Sequence, residues 1–264
     1  MHSSHIWQET RNNMLHFDKI VFGPIHSRRL GSSLGVNLLP ADGKLCNFDC
    51  IYCECGWNRD NAFVEPLPTA AQVKEALELK LSASSSAGEK IDSITFSGNG
   101  EPTLNPDFAE IIDITIALRD KYMPSAKVSV LSNATRCAIP EIRSALRKVD
   151  NPILKLDAPT PALAALVNKP VGKYDPAFIV KALERFEGDF ILQTMFLRSD
   201  NFDSASQQVL GPWKDIVRHL RPRQVMVYSL DRETPQKGLV KYDRETLQNL
   251  VKDLTDEGIN ITFA

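Results

Sequence analysis

The sequence has no long hydrophobic run: no uninterrupted apolar stretch reaches the roughly 20 residues that a membrane-spanning helix needs. Met1 to Asn13 is polar, carries His2 and His5, and lacks the apolar stretch of about 7–15 residues that a secretory signal requires. These absences predict no membrane partner and a cytoplasmic location, with residues 1–17 as a flexible leader and 18–264 as a single core domain. An excess of one charge is missing too. Lys and Arg total 31 against 33 Asp and Glu, a net charge of -2. That balance gives no global pull toward phosphate backbones, so an RNA partner would depend on a local basic patch and is not indicated by charge. There is no low-complexity tract, heptad repeat or domain linker; the softest stretch, Ser82 to Gly88, reads as a surface loop.

Cysteine is scarce and unevenly placed. None occurs in residues 1–45, and four of the five lie between Cys46 and Cys55. A disulfide scaffold spreads its cysteines to staple distant segments, and a chain of 264 residues can bury a core without staples. The clustering reads instead as metal ligation.

What the chain does contain is alternation. Short β-branched apolar runs occur at Gly35–Leu39, Ile91–Phe96, Lys127–Leu131, Ile153–Leu156, Phe190–Met195, Gln224–Tyr228 and Ile259–Phe263. Helix-start signals separate them: a capping box from Thr69 to Gln72, and Asn105, Asp175 and Asp243 as caps, the first two each followed by proline. Strand and helix in alternation predict parallel strands with right-handed crossovers. The C-terminal ends of these strands carry the polar residues: the cysteine loop after Leu39, Ser97 to Pro102, Ser132-Asn133, Asp157, and Ser229 to Arg232. Barrels build their active sites on that face from several strand ends, whereas an open sheet concentrates them at one switch point. The expected fold is therefore α/β, a partial, TIM-like (β/α)6 barrel.

The chemistry lies in Cys46-Asn47-Phe48-Asp49-Cys50-Ile51-Tyr52-Cys53, with spacing C-x3-C-x2-C. Three close thiolates can hold three corners of one cubane cluster and leave the fourth iron open, as catalysis requires. A structural zinc with Cys55 as fourth ligand is the rival reading, but the C-x-C step from Cys53 to Cys55 would strain tetrahedral geometry.

C-x3-C-x-aromatic-C after the first strand of a (β/α) chain resembles the signature of the radical S-adenosylmethionine (SAM) superfamily. The resemblance implies one [4Fe–4S] cluster on Cys46, Cys50 and Cys53, with SAM chelated by the open iron and Tyr52 beside the adenine. Gly98-Asn99-Gly100-Glu101-Pro102 resembles the family's Gly-Gly-Glu-Pro motif, which binds the SAM amino group, and departs from it at Asn99. This implies that Gly98, Gly100 and Glu101 contact SAM, glycines allowing close backbone approach. Ser132 and Asn133 resemble the ribose-binding position, although Ser-Asn is also ordinary turn chemistry. Further segments, among them Ser27-Arg28-Arg29-Leu30-Gly31, Lys155-Leu156-Asp157-Ala158, Asn168-Lys169-Pro170 and Gln193-Thr194-Met195-Phe196, resemble the branch related to the tRNA wyosine-synthesis enzymes. Those relatives carry a second cluster on cysteines before the first motif. This chain has none there, so the wyosine reaction itself is not implied.

The resemblance implies an external one-electron donor of flavodoxin or ferredoxin type. It also implies reductive cleavage of SAM to a 5′-deoxyadenosyl radical, which takes hydrogen from a small-molecule or nucleoside substrate. An activase that places a glycyl radical on a partner protein shares the cysteine spacing. A non-catalytic electron carrier or sensor would not need the Gly-Glu-Pro segment. Lys155 and Asp157 alternate with Leu154 and Leu156, which turns both toward the opposite face. Arg28 and Arg29 suit either an anion or an acidic scaffold partner. His26 and His219 read as surface residues, and Trp7, Trp57 and Trp213 as packing.

Overall fold

The computed structural model describes residues 15–264. His2, His5, Trp7 and most of the expected leader lie outside the described residues. Phe17, at the leader's end, is buried, stacks on Phe22 with ring centroids 4.1 Å apart and donates its N–H to Asn99 Oδ1 at 3.0 Å. Among the described residues no helix is long and apolar enough to cross a membrane.

The chain divides into two compact units. The first comprises Met1–Cys46, Asn58–Leu131 and Ile139–Pro152. It opens with a hairpin that the sequence does not announce: β1 (Val21–Ser27) runs antiparallel to β2 (Gly31–Val36). Gly23-Pro24 interrupts β1 and reads as a turn, which hid the strand. Arg28 and Arg29 are exposed on the hairpin turn, where Ser27 Oγ accepts from the Arg29 and Leu30 amides.

Beyond the hairpin the expected parallel order holds. Helix α1 (Ala70–Ser86) leads from β2 to β3 (Ser93–Phe96), and α2 (Phe108–Tyr122) from β3 to β4 (Lys127–Ser132). The Thr69–Gln72 capping box is formed, but α1 continues through the stretch expected as a loop. Leu77, Leu81 and Ser84 are buried on one face, and that burial outweighs the weak helix preference of the serines. The start of α2 also moves: Asp107 is its N-cap, while buried Asn105 closes a short 3₁₀ turn and donates to Leu38 O and Pro68 O at 2.9 Å each. Helix α3 (Pro140–Lys148) completes this unit.

The second unit comprises Asn47–Trp57, Ser132–Ala138 and Ile153–Ala264. Here β5 (Asn151–Lys155), β6 (Ile191–Met195), β8 (Gln224–Tyr228) and β10 (Ile261–Phe263) pair in parallel, in that order. Helices α4 (Pro161–Val167) and α5 (Pro176–Glu184) connect β5 to β6. Helix α6 (Gln207–Leu220) leads to β8, and α7 (Arg244–Leu250) with α8 (Lys252–Asp256) to β10. Asp175 and Asp243 cap α5 and α7 as expected. A small antiparallel pair, β7 (Leu197–Arg198) with β9 (Val240–Lys241), was not anticipated, being too short to show a period.

Trp213 fixes which face of this sheet meets the helices. Its Nε1 donates to Thr194 Oγ1 at 3.0 Å, and its ring meets Phe196 edge-on at 5.3 Å. Because side chains alternate along a strand, Gln193 and Met195 face away from α6. Lys155 and Tyr228, in register with Gln193 and Met195 respectively, share that inner face.

Candidate functional site

In the first unit the approach to Cys46 is locked by its neighbours. Leu45 pairs with Gly100 in a parallel bridge: the Leu45 amide donates to Asn99 O at 2.9 Å and the Glu101 amide to Leu45 O at 3.0 Å. Gly100 has φ +135°, and a Cβ there would lie 1.9 Å from Leu45 O. A Cβ at Gly98 would lie 2.3 Å from Asn37 Oδ1. Both glycines thus permit close backbone approach, but what approaches within this unit is the protein itself.

Asn99, the departure from the family pattern, is buried and fully used. Its Nδ2 donates to Phe17 O at 2.8 Å and Pro40 O at 2.9 Å. Asn37 accepts from the Asn99 and Leu39 amides at 3.1 and 3.2 Å. Glu101 is 2% exposed, and its Oε1 accepts from the Thr103 amide at 3.1 Å and the Thr103 hydroxyl at 2.6 Å. Sequence reasoning missed Asn37 altogether; only its position after the strand could have marked it.

In the second unit Asn47 to Ile51 is clamped along residues 167–171. The Asp49 amide donates to Asn168 O at 2.9 Å, the Ile51 amide to Val167 O at 3.0 Å, and the Val171 amide to Asn47 O at 2.9 Å. A turn follows, in which the Cys53 amide donates to Cys50 O at 3.0 Å. Asn133 closes a small ring with Asn47 and Thr135: Asn133 Nδ2 donates to Asn47 Oδ1 at 2.7 Å, Asn47 Nδ2 to Thr135 Oγ1 at 2.7 Å, and Thr135 Oγ1 to Asn133 Oδ1 at 2.6 Å. Ser132 Oγ accepts from the Ala134 amide at 3.1 Å, at a turn where Ala134 has φ +63°. A cavity of about 210 Å3 opens beside this ring, lined in part by Asn47, Phe48, Thr135 and Tyr174.

Around Cys50 lies a buried polar cluster. Tyr52, in the core beside Ile51, Ala158, Val167 and Met195, donates its hydroxyl to Asp157 Oδ2. Asn168 Nδ2 stands 2.7 Å from Asp157 Oδ2, 3.2 Å from the Tyr52 hydroxyl and 3.4 Å from Cys50 Sγ. Asp157 Oδ1 accepts from the Met195 amide at 2.9 Å and stands 3.5 Å from Lys155 Nζ. Lys155 Nζ donates to the Tyr228 hydroxyl and lies 4.8 Å from the ring centres of both Tyr52 and Tyr228. Gln193 Nε2, on the same inner face, is buried with no hydrogen-bond partner among the described residues.

The charges follow from this packing. Burial pushes the Cys50 thiol up to about 11, with Asp157 and Cys53 adding to the rise and Lys155 and the Asn168 amide opposing it. Burial, then Asp157, holds Tyr52 well above the ordinary phenol range. Burial alone would lower Lys155, but Asp157 and Tyr228 hold it above its usual value. The cluster therefore presents the Lys155 ammonium and the protonated Tyr52 phenol beside Asp157.

Cys46, Cys50, Cys53 and Cys55 are unbridged and part-exposed, while Cys137 is buried. Among the described residues no group of three or more His, Cys, Asp or Glu side chains converges on a single ion. A cubane does not require such convergence, because each thiolate takes a separate iron. His219 pairs with Glu184 at the surface at 2.7 Å, and Trp57 lies under Lys169 Nζ at 4.8 Å, so neither joins the site.

A family model described as the Radical SAM superfamily matches residues 42–192. A UPF0026 protein of Helicobacter pylori (strain ATCC 700392 / 26695) is 33% identical over 191 residues, covering 71% of this chain and 59% of that protein. This chain thus spans about three fifths of that relative's length. Among solved structures, a radical SAM methyltransferase from Sphaerobacter thermophilus matches with TM-score 0.66 at 16% identity, over 88% of this chain and 65% of that one. TYW1 with a lysine-pyruvate adduct bound matches with TM-score 0.59 at 15% identity, over 88% of this chain and 76% of that one. At these identities the likeness is one of fold, and the fold is the partial (β/α) barrel expected from the sequence.

Proposed function

The chain belongs to the radical SAM superfamily, and on that premise we propose that Cys46, Cys50 and Cys53 hold one [4Fe–4S] cluster and that the substrate is a small molecule or a nucleoside. It is a radical SAM enzyme, with the cluster and SAM as its cofactors. Held by Cys46, Cys50 and Cys53, the cluster would supply the one-electron reduction that cleaves SAM to methionine and a 5′-deoxyadenosyl radical, which would take hydrogen from the substrate.

The protein's part is position and exclusion of water. The observation that carries the reading is the clamp on the cysteine loop, which fixes Asn47 to Ile51 through backbone bonds that no side-chain substitution removes. We assign Tyr52, Gly98, Gly100, Glu101, Ser132 and Asn133 to the SAM site. Bonds to Asp157 and Asn168 hold the Tyr52 ring in one orientation. Gly98 and Gly100 hold their strand end against Asn37 and Leu45, leaving the backbone rather than a side chain at that place. On the inner face of the second unit, Lys155 and the unpaired Gln193 amide offer donors to an oxygen-bearing substrate. A flavodoxin- or ferredoxin-like donor supplies the electron, and the cytoplasm, which keeps thiols reduced, is the fitting compartment.

Anaerobic reconstitution tests the reading. The wild type is expected to hold about four irons per chain and, once reduced, to release 5′-deoxyadenosine and methionine from SAM. Cys46→Ala, Cys50→Ala and Cys53→Ala each lose the cluster, whereas Cys137→Ala keeps it. About eight irons per chain, or retention of the cluster without Cys50, refutes it.

A further inference from the structure

Asn168 is the least expected member of the polar cluster. It lies 118 positions from Cys50, at the C-terminal end of α4, where its amide N–H donates to Ala164 O at 2.8 Å and its carbonyl accepts from Asp49. Those two backbone bonds fix its Cα, so its side chain has little freedom. The carboxamide is 2% exposed and Nδ2 faces three acceptors: Asp157 Oδ2, the Tyr52 hydroxyl and Cys50 Sγ. An amide carries two N–H groups. One is committed to the short, charge-assisted bond to Asp157 at 2.7 Å. The other lies between Tyr52 and Cys50. Since the Tyr52 hydroxyl already donates to Asp157, it can accept, and the N–H is shared between oxygen and sulfur.

We propose that Asn168 is a positioning residue that donates a hydrogen bond to the Cys50 thiolate of the cluster and thereby raises the cluster's reduction potential. This rests on Cys50 being a cluster ligand. Reduction adds negative charge to the cluster and its sulfurs. A donor aimed at a ligand sulfur stabilises the reduced form more than the oxidised one, and hydrogen bonds to sulfur set potentials in such centres. The surroundings make the donor necessary. Asp157 places a carboxylate next to the same thiolate and opposes reduction. Asn168 bonds to both groups, drawing the carboxylate's charge onto one N–H while offering the other to sulfur.

The test is an EPR-monitored redox titration of reconstituted wild type, Asn168→Ala and Asn168→Asp, read only on the cluster-loaded fraction, with iron content and thermal unfolding on the same samples. Asn168→Ala should lower the potential by about 59 mV, the equivalent of a tenfold change in a one-electron equilibrium. Asn168→Asp keeps the shape, removes the donor and adds charge, so it should lower the potential further. Exchange into D2O should show, by electron–nuclear double resonance, one exchangeable deuteron near the cluster that Asn168→Ala lacks. An unchanged potential in cluster-loaded variants, with the deuteron signal retained, overturns the proposal. Should Asn168→Ala fail to load, Asn168→Ser and the deuteron signal of the wild type decide: no such deuteron in wild type also overturns it. Retention of the cluster by Cys50→Ala instead removes the premise, an outcome that iron analysis of that variant distinguishes.

Discussion

Replacing Gly100 with alanine separates a packing role of the strand-end segment from a ligand role. The new methyl would lie 1.9 Å from Leu45 O and 2.5 Å from Leu45 C. Both are backbone atoms one residue before Cys46, so no side-chain rotation relieves the clash. The backbone also sits at φ +135°, which costs a non-glycine residue on the order of 1–3 kcal/mol. Forcing a methyl group into a filled space adds about 1–3 kcal/mol. The sum, roughly 2–6 kcal/mol, is a large share of the 5–15 kcal/mol that separates folded from unfolded chains. At about 2 °C per kcal/mol for a chain of this size, Tm should fall by roughly 4–12 °C.

Gly88→Ala is the control. Gly88 has φ +64° with nothing within 4 Å of its Cβ position, so only the backbone cost of about 1–2 kcal/mol applies, or roughly 2–4 °C. Calorimetry on the metal-free proteins measures both, and iron content after reconstitution should fall with Tm for Gly100→Ala because the bridge leads directly into Cys46. A segment whose only role is to touch SAM gives the opposite pattern: unchanged Tm with SAM affinity lowered tenfold or more. If Gly100→Ala costs no more than Gly88→Ala, the argument from the Leu45 contact is refuted.

Two further outcomes follow from the charge clusters. Asp150 accepts from Arg119 at 2.7 Å, the Val128 amide at 2.9 Å and Lys127 at 3.1 Å; although burial works the other way, these bonds hold its carboxyl below the ordinary range. A depressed folded value stabilises above the unfolded value near 3.9, so Asp150→Asn should cost about 1–3 kcal/mol at pH 7, and the gap in Tm between variant and wild type should close as pH falls below about 4; a constant gap from pH 7 to pH 3 refutes this. Lys155→Met leaves Asp157, whose side chain has no exposure, beside an apolar neighbour, and should cost about 3–5 kcal/mol in denaturant unfolding of the metal-free protein, whereas Lys155→Met combined with Asp157→Leu should recover part of that loss; a double variant no better than the single one refutes the pairing.

What could be read in advance was what the chain encodes locally. C-x3-C-x2-C is complete within eight residues, and the runs that became β3, β4, β6 and β8 are short and rich in apolar or β-branched residues, as strands are. Two of the misses share one cause, a competing tertiary contact. Serines at 82–86 looked like a loop because their preference is weak, but α1 keeps them helical by burying Leu77 and Leu81. Asn105 looked like a helix cap, yet its side chain closes bonds to Leu38 and Pro68, 67 and 37 positions away. Gly98 and Gly100 stand apart from these, since glycine shows that something comes close without saying what.

The same limit explains why the surroundings of Cys50 escaped a reading from the residues alone. Tyr52 and Asp157 are 105 positions apart, and Cys50 and Asn168 are 118. Neither separation has a period, and Asn-Lys-Pro on its own reads as the end of a helix. Yet the helix end is what makes the cluster possible. Once α4 stops at Val167, the carbonyls of Val167 and Asn168 turn outward and accept from Ile51 and Asp49, so the terminus of one element becomes the template for the cysteine loop. A side chain at that terminus is then held at fixed distance from whatever the loop carries. Asn168 therefore fixes the loop through its backbone and faces Cys50 through its side chain, and a substitution there tests both roles separately: the side chain can be removed while the two backbone bonds that hold the loop remain.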